Sequence, residues 1–523
     1  MLKSTIFSIL IFITLTAGIA AVHYQPVTTV PESQNSPSAK GSLTPLEPCE
    51  FKPGKKKVYQ AECATLTVPE KWEDPHSKTI SLPVVRFPAT SANPTEPIFW
   101  LQGGPGSPNL SWAPPDWLLK NHDVILVGYR GAEGSTVLDC PDLTKMIKKS
   151  LGKGVFSEEI RQELEIATQQ CAQGFADKGI DLNDYIVSSV IQDFEAARTA
   201  MGYEKVNLYS VSYGTRVAQI YAYLHPESLN RVVLIGLNTP GHFIYDREEF
   251  DVLIGRMNDL CQSNPDCAGS TDNLAQAISD VNHNMPDHWL FFPIDQGTVR
   301  LGAHMMFFST QNMAIPIDMY VRASNGDPAG LAMMTMMAKY VFPPITWGDM
   351  FTKGGSLDGD RFEGIQTVDL GDSILGAPLA EMIWQMAAGW PVAPEAENLR
   401  QLNESDVSML VVNGDIDFST PPSAIEEAKP YWHNAQFVLL SGFSHVDDVE
   451  KLQPAAFQQL ITTYYDSGEG DASQFTAQPL VTKPGMSLAT MAKLVLAGTI
   501  LLPPLLIVGV LLGIRRARRR RQK

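Results

Sequence analysis

Three residues have the types and settings that nucleophilic acyl transfer needs. Ser212 lies in VNLYSVSYGTRVAQIY (206–221), a short apolar run that turns on Ser210, Ser212 and Gly214 and continues with helical spacing. A serine held between a strand end and a helix start, with small residues two positions away on each side, reads as a nucleophile elbow, because larger side chains would clash in so tight a turn. The usual pattern is Gly-x-Ser-x-Gly, and here Ser210 takes the place of the first glycine. Asp417 follows the apolar run 407–413 in Gly414-Asp-Ile-Asp417, where Asp415 competes with it; Asp417 is preferred for its distance past the strand end. His445 follows the apolar run 436–440 in a Gly/Ser turn, unlike His225, His242 and His433, which read as surface or loop residues. Serine would attack, histidine would take and return its proton, and aspartate would orient the imidazole and steady its charge.

The elements that must bring these residues together alternate between strand and helix. Strand-like runs occupy 80–87, 97–102, 123–128, 206–209, 231–236, 407–413 and 436–440. Pro83 marks the first of these as an edge strand. Helical patterns cover Ser157 to about Cys171, 190–201 and 454–464. That rhythm predicts an α/β chain with a mostly parallel sheet and helices on both faces. Carboxyl ends of neighbouring parallel strands share one rim, so Ser212, Asp417 and His445 are expected to converge. From 241 to 400 the alternation breaks into a Met-, Trp- and Phe-rich stretch, read as a large inserted lid between core segments 49–240 and 401–466.

The 523 residues carry a formal net charge of −17, although seven of the last nine are Arg or Lys, so the remainder is more acidic still. Such a body does not bind nucleic acid through phosphates, which require clustered cations. Residues 1–22 read as a secretory signal peptide: a short charged start, an apolar centre and small residues at its end. A Pro/Ser/Thr-rich spacer is expected over 23–48 and a polar one over 467–487. The charge-free run 494–514 within 488–514 is long enough to span a bilayer, and the Arg-rich tail 515–523 is expected to stay cytoplasmic. The six cysteines form no Cys-x-x-Cys pair; of fifteen pairings, sequence neighbours suggest Cys49–Cys63, Cys140–Cys171 and Cys261–Cys267, in an oxidising compartment. No metal motif, phosphate loop or dinucleotide fingerprint is present, and no cofactor is expected.

The chain resembles the α/β-hydrolase family of prolyl iminopeptidases and tripeptidyl aminopeptidases. The matching pieces are Gly103-Gly-Pro-Gly106, Tyr129-Arg-Gly-Ala-Glu-Gly-Ser135, Ser212-Tyr-Gly-Thr215, His225-Pro-Glu227, Trp390-Pro391, Gly414-Asp-Ile-Asp417, Thr420-Pro421 and His445. They stand in the family's order across residues 98–445, and Ser…Asp…His is its chain order. Three positions depart from the pattern: Gln102 replaces a histidine, Gly128 an aspartate and Glu133 a glycine. The resemblance implies an α/β-hydrolase fold with a lid. It implies oxyanion donors from Gly103, Gly104 and the N–H of Tyr213, and a disulfide between Cys140 and Cys171 as in secreted members. It also implies lid carboxylates that hold a substrate's free amine, with Glu248, Glu249, Asp349 and Glu381 as candidates. The expected activity is a serine exopeptidase acting on free peptide N-termini, with a peptide as substrate and the membrane as the C-terminal anchor. Two rivals are an esterase or lipase-like enzyme on apolar acyl esters, which a Met-rich lid would suit, and a lapsed hydrolase-fold binding protein.

Overall fold

The computed structural model describes residues 41–54, 57–244, 246–362 and 370–499, together with 514. A ten-stranded sheet organises it. From one edge its order is Ser42–Leu43, Tyr59–Pro69, Thr79–Phe87, Val124–Val127, Ile98–Leu101, Val206–Val211, Leu229–Ile235, Ser408–Gly414 and Ala435–Leu440, with Glu47–Phe51 also paired to Tyr59–Pro69. The strands from Val124–Val127 onward run parallel, and those before them antiparallel. The central parallel strands are buried along their whole length because helices cover both faces. This is the mostly parallel sheet that the alternating pattern predicts.

Two boundaries differ from expectation. The strand containing Pro83 lies inside the sheet, not at its edge. Its ladder to Val124–Val127 covers only Val84–Phe87, and the Pro83 carbonyl accepts the N–H of Gly128. Both backbone groups of a strand residue face the same neighbour in an antiparallel pair, so the missing N–H of Pro83 falls beyond that ladder's end. The folded chain also begins before Cys49, since Ser42–Leu43 pairs with Leu66 and Thr67. The three disulfides are Cys49–Cys63, Cys140–Cys171 and Cys261–Cys267.

Between strands Leu229–Ile235 and Ser408–Gly414 the chain leaves the sheet and builds helices Arg247–Ser263, Leu274–His283, Gln296–Met306, Thr310–Ser324, Ala329–Val341, Trp347–Asp358 and Pro378–Ala387. Most of these share a second core of Phe250, Met257, Met313, Tyr320, Met334 and neighbours. Residues 467–487, expected as a free spacer, are laid against the body instead. Gln478 N–H donates to Ser441 O, Asn264 Nδ2 donates to Leu480 O, and Lys483 pairs with Asp266. The helical residues 488–499 continue this contact: Leu488, Ala489 and Ala492 are buried and Lys493 pairs with Asp327. An irregular strap satisfied by neighbours has no period of its own to read. Among the described residues no helix is long and apolar enough to cross a membrane. The expected signal peptide 1–22, residues 500–513 of the expected span and the tail 515–523 lie outside the described residues.

Buried charges fix the loops that border the sheet's carboxyl rim. Arg130, fully buried, pairs with Asp193 at 2.5 Å and donates to the carbonyls of Pro69, Glu70 and Asp184. Glu133 accepts the N–H groups of Asn109, Leu110 and Tyr129, tying the segment after Gly106 to the end of strand Val124–Val127. Gly128 has no room for the aspartate of the family pattern, because a Cβ there would lie 2.7 Å from the Pro83 ring. Burial pushes the Glu133 carboxyl up to about 7, against the pull of its amide donors and Lys353. A carboxyl raised in this way favours the fold while protonated, so its contribution is complete below about pH 4.5 and is lost as pH rises through about 7. Glu133→Gln strands an amide but no longer titrates. Urea denaturation at pH 5 and pH 8 should therefore find the variant less stable at pH 5, with the deficit shrinking by roughly 2–3 kcal/mol at pH 8.

Candidate active site

Ser212 terminates strand Val206–Val211 and precedes helix Tyr213–Leu224. It adopts φ 52° and ψ −127°, a conformation that costs a non-glycine residue about 1–3 kcal/mol and persists only where its surroundings impose it. They do so here. A Cβ on Gly214 would lie 2.2 Å from Leu101 O, and one on Gly103 would lie 2.9 Å from Ser212 Cβ. Ser210, in place of the usual glycine, fits because its buried hydroxyl donates to Val233 O at 2.6 Å.

Asp417 and His445 meet from the ends of strands Ser408–Gly414 and Ala435–Leu440, which lie beyond Leu229–Ile235 in the sheet. His445 Nδ1 lies 2.8 Å from Asp417 Oδ2. Asp417 is wholly buried, and its carboxylate also accepts the N–H groups of Ser419 and Thr420 and the Thr420 hydroxyl. Thr420 Oγ1 stands 3.2 Å from the same ring nitrogen. Asp415 instead accepts the N–H of Gly442 at 2.7 Å, so Asp417 is the acid beside the imidazole. Nδ1 is thus engaged on the aspartate side, leaving Nε2 as the nitrogen for a serine. Ser212 N–H bonds Ile235 O, and Gly236, the next residue, lies directly under the imidazole: a Cβ there would be 3.0 Å from His445 Cε1. Among the described residues no hydrogen bond joins Ser212 Oγ to the ring; catalytic contacts of this kind commonly close only around substrate.

The expected oxyanion donors border Ser212 as well. Tyr213 opens the helix, where main-chain N–H groups have no partner within the helix. Gly103 abuts Ser212, but its N–H donates to Gln102 Oε1 at 3.0 Å, and Gln102 Nε2 donates to Ser111. Gly104 stands beside it at φ 137°, in the region that favours glycine. The turn is pinned by the inserted segment, since Gly106 N–H bonds Asp349 Oδ2.

Two of the four acids expected to meet a substrate amine are spent inside the protein. Asp349 is fully buried; it bonds Gly106 and pairs with Lys353 at 2.5 Å. Glu381 is buried against Arg300, 3.5 Å away. Sequence alone marked them as polar positions in an irregular region and could not register that each has an internal cation. Glu248 is exposed on the first turn of its helix. Glu249 is half-buried, accepts the Ser423 hydroxyl and lies 3.8 Å from His242, which also meets Glu427 at 3.0 Å. Burial raises the Glu249 carboxyl above its ordinary value. Phe243 packs its ring 5.6 Å from that of Tyr213, linking this acidic cluster to the elbow. His242, read from sequence as a surface or loop residue, lies in the connection after strand Leu229–Ile235 and is central to it. Thr420 and Gly236 are the further groups at the imidazole; Thr420 was visible only as part of a Thr-Pro pair, and Gly236 as a strand end.

Two family models match parts of the chain. A family described as alpha/beta hydrolase fold matches residues 96–254, and one described as TAP-like protein matches residues 375–476. A tripeptidyl aminopeptidase of Streptomyces lividans is 25% identical over 248 residues, covering 44% of this chain and 45% of that protein. The serine protease Hip1 of Mycobacterium tuberculosis is 26% identical over 190 residues, covering 34% of this chain and 36% of Hip1. The chain thus spans less than half the length of the curated relatives it matches. Among solved structures, a proline iminopeptidase of Mycobacterium smegmatis aligns with a TM-score of 0.37 at 14% identity, covering 74% of this chain and 95% of that one. An esterase of Thermogutta terrifontis aligns with a TM-score of 0.34 at 13% identity, covering 77% and 99%. The sheet and the two partial family matches give the chain an α/β-hydrolase fold with a TAP-like segment over residues 375–476.

Proposed function

We propose that the protein is a serine exopeptidase that releases one or a few residues from the free N-termini of peptides, with Ser212 as nucleophile, His445 as general base and Asp417 as its orienting acid. The observation that carries this reading is the 2.8 Å contact between His445 and the sealed Asp417, on the rim where Ser212 stands in its constrained turn. The TAP-like match over 375–476 and the likeness to a tripeptidyl aminopeptidase favour peptides over simple esters. Gly104 and Tyr213 supply the oxyanion donors directly, and Gly103 joins them once Gln102 releases its N–H. The helices between residues 241 and 400 act as a lid that limits entry to short or extended chains. The protein works outside the cytoplasm, as three disulfides suit, held at the membrane by its apolar C-terminal run.

Glu249 is the acid that meets the substrate ammonium. It and Glu427 share one imidazole, so the cluster retains negative charge beside the loop that follows Asp417. Ser212→Ala should abolish labelling by a fluorophosphonate probe and lower peptide-amide turnover by at least about 10³-fold. Equal labelling of both proteins, or cleavage of acyl esters with no amide cleaved, rejects the reading. Glu249→Gln should raise KM about tenfold for substrates with a free amine and leave the labelling rate unchanged. An unaltered KM removes Glu249 from that role.

A further inference from the structure

We propose that Asp448 is a positioning residue through which the inserted helices hold His445 in place. The inference rests on the reading of His445 as general base. Asp448 is almost wholly buried, three residues after His445. Its Oδ2 accepts two amides: Ser444 N–H at 3.1 Å, in the turn that carries the histidine, and Thr310 N–H at 2.9 Å, at the start of helix Thr310–Ser324. Its Oδ1 accepts the Ser309 hydroxyl at 3.3 Å.

Two more bonds run between the same segments. His445 N–H donates to Phe308 O at 3.3 Å, and Ser444 Oγ donates to Phe307 O at 2.9 Å. The Phe308 ring lies 5.9 Å from the imidazole. The carboxylate also stands where a helix N-terminus favours negative charge, and it does the capping that Ser309, at the N-cap position, does not. One side chain therefore serves two partners, a helix of the insertion and the backbone that aims the imidazole. On the other side of the turn, Gln478 of the C-terminal strap bonds Ser441. A shift of helix Thr310–Ser324 is carried by these bonds to the histidine.

The test uses the full-length protein. Asp448→Ala, Asp448→Asn, Ser212→Ala and His445→Ala are compared for kcat and KM on a peptide amide, for fluorophosphonate labelling rate and for melting temperature, with rates referred to folded protein. Asp448→Ala should lower kcat and labelling together by about 10–100-fold, the scale of a roughly 1 Å misplacement, with KM within about threefold of the parent. Asp448→Asn should recover both to within about threefold, because one carboxamide oxygen can accept both amides and its NH2 can meet Ser309. An Asp448→Ala protein that labels at the parent rate, or an Asn variant as impaired as the Ala variant, overturns the proposal. Should Asp448→Ala fail to fold, Ser444→Ala, which cuts only the bridge to Phe307, must slow labelling with KM unchanged; labelling at the parent rate overturns the proposal. Ser212→Ala and His445→Ala proteins with parental turnover would overturn the hydrolase reading itself. Inactive controls beside an unimpaired Asp448→Ala remove only the positioning role.

Discussion

The site depends on one carboxylate sealed from water. Asp417 accepts two main-chain N–H groups and the Thr420 hydroxyl in addition to His445. A buried carboxylate is costly unless its acceptor positions are filled. The Ser419–Thr420 turn fills them locally, so the aspartate can remain dry and still direct its last acceptor position at the imidazole. This fixes the histidine's Nδ1.

The inserted segment is built into this arrangement rather than laid over it. Asp349 holds the Gly-Gly-Pro-Gly turn through Gly106, and Lys353 bridges Asp349 to the Arg130 carbonyl. Phe307, Phe308 and Asp448 hold the turn that bears His445. The insertion therefore contacts both the Gly-Gly-Pro-Gly turn and the turn that bears His445. Its Met-rich core is a packing solution for short helices of irregular spacing, since unbranched thioether side chains fill uneven gaps. That accounts for the methionines without requiring a lipid-like substrate.

The C-terminal strap adds a third tie. It crosses the His445 turn at Gln478, runs past Asn264 and Asp266, and docks Leu488, Ala489 and Ala492 on the helices of the insertion before the apolar run continues. Core, insertion and strap are thus joined at the turn next to the imidazole.

Local sequence determined the strands, the elbow and the placement of Ser212, Asp417 and His445 just past strand ends. Each rests on short-range constraints: apolar runs that must be buried, a turn that admits only small side chains at 210 and 214, and polar residues just past strand ends. The neighbour pairing of the cysteines followed for a similar reason. What tertiary structure alone decided was the partner of each carboxylate. Asp349 and Glu381 are carboxylates of the kind that bind ligands, yet Lys353 and Arg300 neutralise them inside the fold, whereas Glu249 and Glu427 share the loop histidine His242. Pro83 in an internal strand, Glu133 in place of a glycine and the docked strap belong to the same class. In each case a group's role is set by donors, cations or ladder ends contributed from distant parts of the chain, and a one-dimensional pattern carries no record of them.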